Sequence, residues 1–137
     1  MSSERLPLRG LNHLTFVVAD LDRSLSFWRD RLGGRLRARG PRMAYLDLGG
    51  LWICLELGRP APRDDHSHVA LDCAPEDFDR VAEALADLPR WKENRSEGAS
   101  LYLTDPDGHR IEIHVGTLET RLAHYRAAPD AGITVFD

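Results

Sequence analysis

Three side chains stand out for chemistry they could share: His13, His68 and Glu112. Each falls at an equivalent point of an internal duplication. The first copy reads HLTFVV from His13, a helical run, then YLDLGGLWICLEL; the second reads HVALD from His68, another helical run, then YLTDPDGHRIEIHV. Aligning Gly50 with Gly108 sets Cys54 opposite Glu112, so the fourth symmetry position carries a thiol. A single strand histidine is more often a hydrogen-bonded structural residue, and it is the matched positions that favour a metal. Two imidazoles and one carboxylate around a pseudo-twofold axis suit a divalent transition ion with positions left open for substrate. Mn²⁺, Fe²⁺, Co²⁺, Ni²⁺ and Zn²⁺ all suit these ligand types. Cys54 reads as packing. His66 shares a face with His68 but does not align with His13. His114, two residues from Glu112, reads as a supporting partner of that carboxylate or as a structural residue.

The second concentration of chemistry is WKENRSEGASLYL at 91–103. Lys92, Asn94, Arg95, Ser96, Glu97, Gly98, Ser100 and Tyr102 bring side-chain and main-chain oxygens beside two cations. By composition alone this is a solvated loop, but it feeds directly into the hairpin that bears Glu112. Cations beside hydroxyls suit an anionic oxygen cluster such as a phosphonate, phosphate or carboxylate. Backbone carbonyls with Ser and Glu oxygens equally suit a monovalent cation. Arg121, early in the last helical run, could add a guanidinium.

The elements that must position these residues follow from periodicity. Alternation over 11–18 predicts a strand with His13, Thr15 and Val17 on one face. Asp20 caps a helix carrying Leu21, Leu25, Trp28 and Leu32, closed by Gly33 and Gly34. A strand at 36–39 and a hairpin of 44–48 with 51–57 follow, with Tyr45, Trp52, Cys54 and Glu56 on one side. The second copy gives a strand at 68–71, a helix over 75–88 with Phe78, Val81, Ala82 and Leu85 inward, a polar stretch at 91–100, and a hairpin of 101–104 with 110–115. A last helix spans 117–126. Each half is thus βαβββ. The expected class is α+β, two such modules forming a curved mixed-sheet cup. The 137 residues read as a single domain: module one about 8–57, linker about 58–66, module two about 67–116, and a C-terminal helix and tail at 117–137. One module leaves an edge and a concave face uncovered, which pairing of modules between chains resolves.

Bulk composition narrows the classes. Hydrophobic content of 42% and charge of 29% are those of an ordinary globular chain, and a net charge of −4 argues against a nucleic-acid surface. No apolar run reaches membrane-spanning length and no signal-peptide core is visible, so a cytoplasmic protein without membrane contact is expected. The two cysteines, Cys54 and Cys73, lie in apolar strand contexts and read as reduced thiols.

Several motifs together resemble one family. GLNHLT at 10–15, the AYL…G.LW.CL run at 44–55, WK.NRSEGAS at 91–100, DPDGHR.E.HVG.L at 105–118 and the closing AP.AG…FD segment are similar to the FosA-type fosfomycin-resistance thiol transferases of the vicinal oxygen chelate superfamily. That resemblance implies a domain-swapped homodimer in which His13 of one subunit joins His68 and Glu112 of the other around Mn²⁺. It implies a K⁺ loop of Asn94, Ser96, Glu97, Gly98, Ser100 and Tyr102. Phosphonate contacts would come from Thr15, Lys92, Ser96, Tyr102 and Arg121, with Tyr45 and Trp52 near the thiol and the oxirane. The implied reaction is metal-assisted addition of glutathione, or another small thiol, to the oxirane of fosfomycin, with Thr15, Tyr45, Lys92 and Arg121 as its catalytic side chains. Aromatic residues frequent in such enzymes are replaced here by Gly40, Val69 and Asp130, on the side expected to face the thiol.

Rival readings use the same scaffold. A glyoxalase-like isomerase wants a fourth oxygen ligand where Cys54 stands. An extradiol dioxygenase shares a His–His–Glu set but has no use for Lys92, Arg95 and Arg121. An epoxide hydrolase needs a carboxylate to activate water, and Glu56 is the candidate. A metal-free drug-sequestering protein would gain nothing from the three ligands.

Overall fold

A computed structural model describes residues 5–137; residues 1–4, included in the single-domain reading, lie outside the described residues. The chain divides into two compact units that meet in sequence between Ala61 and Pro62. The fold is mixed α+β, with one four-stranded sheet in each unit.

In the first unit β1 (His13–Val18) leads into α1 (Leu21–Leu25), then β2 (Arg35–Arg39), β3 (Met43–Leu48) and β4 (Leu51–Leu57). The sheet order is β1-β4-β3-β2, with β1 and β4 parallel and the other pairs antiparallel. Asp20 caps α1 by accepting from the Arg23 amide at 2.9 Å. The expected regular helix does not continue. Ser26–Arg31 forms a wider π-turn, closed by the Leu32 amide donating to the Phe27 carbonyl five residues back at 3.0 Å. The wider turn brings two consecutive aromatics inward, Phe27 and Trp28, which ordinary helical spacing would splay apart. Trp28 is 1% exposed and stacks on Phe16 at 5.1 Å, with Phe27 edge-on at 5.4 Å. Val18, Ala44, Leu46, Ile53 and Leu55 complete this core.

In the second unit β5 (Val69–Asp72) is followed by a 3₁₀ turn at Pro75–Asp77 and α2 (Phe78–Ala84). Then come β6 (Arg90–Lys92), β7 (Ala99–Thr104), β8 (Arg110–Val115) and α3 (Leu118–Arg126). The order β5-β8-β7-β6 repeats the first sheet. The helix expected over 75–88 stops at Ala84; Leu85, just past it, is the buried member of the apolar set, and Phe78, Val81 and Ala82 are half-buried. The polar stretch at 91–100 begins inside a strand, because Lys92 pairs with Tyr102 and Arg90 with Leu103. Thr117 and Thr120 close a reciprocal capping box at the start of α3.

The duplication is written in the two registers. In one sheet Thr15 lies opposite Cys54, which lies opposite Tyr45; in the other Ala70 lies opposite Glu112, which lies opposite Tyr102. Each hairpin turn is tied by an aspartate. Asp47 Oδ1 accepts from the Gly50 amide at 2.8 Å, and Asp105 Oδ1 accepts from the amides of Asp107 and His109. Trp28→Ala is expected to cost about 3–5 kcal/mol, read as a fall in the urea midpoint without a change in slope.

Candidate metal and anion site

Glu112 sits mid-strand in β8 at 7% exposure, its side chain on the face opposite Ile111 and Ile113. Its Oε1 lies 2.8 Å from His68 Nε2, the residue just before β5. His68 Nδ1 lies 2.6 Å from the His66 carbonyl oxygen, which can only accept. With Nδ1 donating to that carbonyl, Nε2 is the ring atom turned to Glu112, and at 2.8 Å a proton or a metal ion bridges the two. This donor set fits a divalent ion, with the His66 carbonyl fixing the ring as outer partners of metal-bound histidines do.

His13 opens β1 in the first unit and is prepared in the same way. Its Nδ1 lies 2.6 Å from Asn12 Oδ1, an acceptor, so Nε2 is again the atom left for a ligand. Its ring rests at 4.5 Å from Trp52, its partner across β1 and β4. Among the described residues, no group of three or more His, Cys, Asp and Glu side chains is gathered as a metal site. His68 and Glu112 are brought together within the second unit. Cys54 is buried on the His13 and Thr15 face and packs as expected.

Around His68 the second sheet builds an aromatic wall. Trp91 lies 5.3 Å from His68 and 5.1 Å edge-on to Tyr102, with its Nε1 donating to the Ile111 carbonyl at 3.0 Å. Two cations ride on it: Lys92 Nζ is 5.0 Å from the Tyr102 ring, and the Arg110 guanidinium is 4.9 Å from Trp91. The Arg110 guanidinium also donates to the Asp65 carbonyl, steadying the chain just before His66. The 93–98 loop is folded on itself. Asn94 Nδ2 donates to the Gly98 carbonyl at 2.8 Å, and the Ser96 amide and hydroxyl both reach Asn94 Oδ1 at 3.2 Å. Arg121 grips Glu97 twice, through its carboxylate and its carbonyl, each at 3.0 Å. Hydrogen bonding to Glu97 raises the Arg121 pKa, so this cation is permanent. Arg95 is exposed.

In the first unit Tyr45 and Trp52 meet edge to face at 5.3 Å, both part-exposed. They line a depression of about 230 Å³ with Arg37, Leu46, Asp47 and Gly50. Thr15 is exposed on the same sheet face, opposite Cys54. Sequence reasoning missed Asn12, the His66 carbonyl, Trp91 and Asp47 as members of these surroundings. The signal for Asn12 was available, since an amide directly before a ligand histidine can fix its tautomer.

Comparison with known proteins sets this geometry in context. Residues 10–113 match the Glyoxalase/Bleomycin resistance protein/Dioxygenase superfamily. The chain belongs to that superfamily. It is 46% identical over 133 residues to the glutathione transferase FosA of Serratia marcescens, covering 92% of this chain and 94% of that protein. It is 35% identical over 131 residues to the metallothiol transferase FosB of Lysinibacillus sphaericus, covering 88% and 92%. Among solved structures it resembles a variant of the fosfomycin resistance protein FosX of Listeria monocytogenes, in complex with Mn(II) and 1S,2S-dihydroxypropylphosphonic acid. The TM-score is 0.74 at 30% identity, over 86% of this chain and 98% of that one. The superfamily's repeated module is what the matched registers above describe. No helix among the described residues is long and apolar enough to cross a membrane.

Gly98 joins the loop to the wall: at φ +87° a Cβ there would lie 2.6 Å from the Val115 carbonyl oxygen. Gly98→Ala is expected to destabilise the fold by about 1–3 kcal/mol, seen as a lower melting temperature in the absence of any ligand.

Proposed function

We propose that this protein inactivates fosfomycin by metal-assisted opening of its oxirane. The observation that carries the reading is His68 Nε2 facing Glu112 Oε1 at 2.8 Å, in a chain 46% identical to a glutathione transferase FosA along nearly its whole length. His13, His68 and Glu112 would hold the ion, Mn²⁺ by preference. The ion supplies Lewis acidity, stabilising the negative charge that grows on the oxirane oxygen as the ring opens.

The remaining roles belong to the chain's own residues. Lys92, Arg121, Ser96, Tyr102 and Thr15 would bind the phosphonate oxygens, offsetting its charge and holding the ring in line for attack. Asn94, Ser96, Glu97, Gly98, Ser100 and Tyr102 would supply oxygens to K⁺. Tyr45 and Trp52 would wall the side from which the nucleophile arrives. Because His13 is contributed by a different module from His68 and Glu112, pairing of two subunits with exchanged modules would complete each site. Leu6, Leu8, Leu11 and Phe136, each at least 66% exposed, give such a partner apolar surface to cover.

Two nucleophiles have support. A thiol, glutathione or another small one, is favoured by the identity to FosA and FosB. In that case a carbon–sulfur bond forms as the carbon–oxygen bond breaks, and the oxygen leaves with the electron pair and is then protonated. Water is favoured by the structural likeness to FosX held with a dihydroxypropylphosphonic acid, the product of adding water to the ring. Water needs a carboxylate base. Glu56 lies one row along from Cys54, opposite Val17 and Met43, whereas Asp47 lies beside Trp52 and is a second candidate.

Incubating the protein with Mn²⁺, K⁺, fosfomycin and glutathione, then weighing the product, separates these outcomes. A mass gain of one glutathione marks the transferase, and a gain of one water marks the hydrolase. Unchanged fosfomycin would remove the proposal. His68→Ala and Glu112→Ala should each lower kcat/KM by at least about 1,000-fold, the loss of several kcal/mol of charge stabilisation. Turnover should fall when sodium replaces potassium, and equal rates in the two salts would count against the K⁺ loop.

A further inference from the structure

Ser100 and His114 have a use beyond the anion and cation contacts proposed for this region. Ser100 stands directly opposite His114 across β7 and β8, one row from the Tyr102–Glu112 pair. The Ser100 hydroxyl donates to Glu112 Oε2 at 2.7 Å. A serine has one hydroxyl hydrogen, and here it is committed to the carboxylate. His114 Nδ1, 2.6 Å from Ser100 Oγ, must therefore be the donor in that contact. The same nitrogen lies 3.2 Å from Glu112 Oε2. The result is a directed chain, His114 N–H to Ser100 O–H to Glu112 Oε2, inside a sheet where Ser100 and Glu112 are 8% and 7% exposed.

The imidazole at the head of this chain occupies space that two glycines leave open. A Cβ on Gly98 would lie 2.9 Å from His114 Cε1, and one on Gly116 would lie 2.9 Å from His114 Nε2. Both glycines have positive φ, +87° and +140°, where other residues are strained. No side chain fits at either place while the ring stays where it is.

We infer that Ser100 and His114 are positioning residues for Glu112. They occupy Oε2 and leave Oε1, the oxygen facing His68, as the single atom offered to the metal. The inference rests on the metal site proposed above. It also gives the Ser100 hydroxyl a first duty toward the carboxylate, ahead of any duty toward K⁺. Outer hydrogen bonds of this kind typically set metal affinity by 10- to 100-fold.

The test is Mn²⁺ titration of the 137-residue chain, followed by electron paramagnetic resonance of the free ion, in potassium-free sodium buffer. Ser100→Ala and His114→Phe should each weaken Mn²⁺ binding roughly 10- to 100-fold. His114→Asn, whose amide N–H can stand in for Nδ1–H, should recover most of the loss. Metal-free melting curves establish that each variant is folded, and Ser100→Ala decides alone if the Phe variant is not. Unchanged affinity in Ser100→Ala overturns the inference, as does an Asn variant no better than Phe. A Ser100→Ala defect that emerges only when K⁺ is added overturns it too, since that marks a potassium ligand. Failure of the unsubstituted protein to bind Mn²⁺ defeats this inference and the proposed function together. The expected affinity pattern without any attack on fosfomycin defeats only the function.

Discussion

A carboxylate buried in the middle of a β-sheet is the constraint around which the second module is arranged. Glu112 is flanked along its strand by Ile111 and Ile113, whose side chains fill the opposite face. Charge in such a place is tolerated only when it is matched. The fold matches it on two sides by different means. Oε2 receives the Ser100 hydroxyl, which is backed by the His114 imidazole from within the same sheet. Oε1 meets the His68 imidazole at 2.8 Å, from the residue just before β5. The two oxygens thus have different partners, and Oε1 is the one turned toward the second imidazole.

The scaffold explains how a chain can hold such an arrangement. Parallel pairing of β5 with β8 sets Ala70 opposite Glu112, so His68, two residues before Ala70 and on the same face, reaches Glu112 although 44 residues separate them. The same connection in the first sheet brings His13 to Trp52 and Thr15 to Cys54. The two sheets are one device used twice, with the carboxylate kept in one copy and a buried thiol in the other. Cys54 can pack without a partner because a neutral thiol is a small hydrophobe. A second carboxylate there would have needed its own set of donors. Tyr45 stands in the corresponding first row, where Tyr102 stands beside Glu112, but no hydroxyl and imidazole like those of Ser100 and His114 accompany it.

How much of this was legible in the chain depends on whether a feature is local. The hairpins were plain, because period-two alternation and a glycine turn are written within a dozen residues. The pairing of His13 with His68 was legible as well, since a repeat compares the sequence with itself. The π-turn was not: Trp28 fits the helical spacing of Leu21, Leu25 and Leu32, and nothing local marks that Phe27 is buried beside it. β6 was hidden in a polar stretch because its three residues are held by pairing with β7 and carry no strand signal of their own. Ser100 was read with the loop that precedes it, as an oxygen for an ion. Its hydrogen-bond partners lie 12 and 14 residues on, across a hairpin whose register no local pattern prints.

The register argument also bears on the nucleophile. In the first sheet the row of Thr15, Cys54 and Tyr45 separates two carboxylates, Glu56 on one side and Asp47 on the other. Asp47 already accepts from the Gly50 amide, so one of its oxygens is engaged in closing the turn. A base for water must take up a proton and give it back within each cycle. An oxygen fixed to a turn amide is poorly placed for that, although the other oxygen of the same carboxylate is not so bound. Activation of a thiol asks less of this face. A thiolate forms near neutral pH wherever positive charge lowers its pKa, and Arg37 lines the depression beside Tyr45 and Trp52. The curated relatives are thiol transferases and the solved fold was captured with a diol, so both nucleophiles have a precedent among proteins similar to this chain.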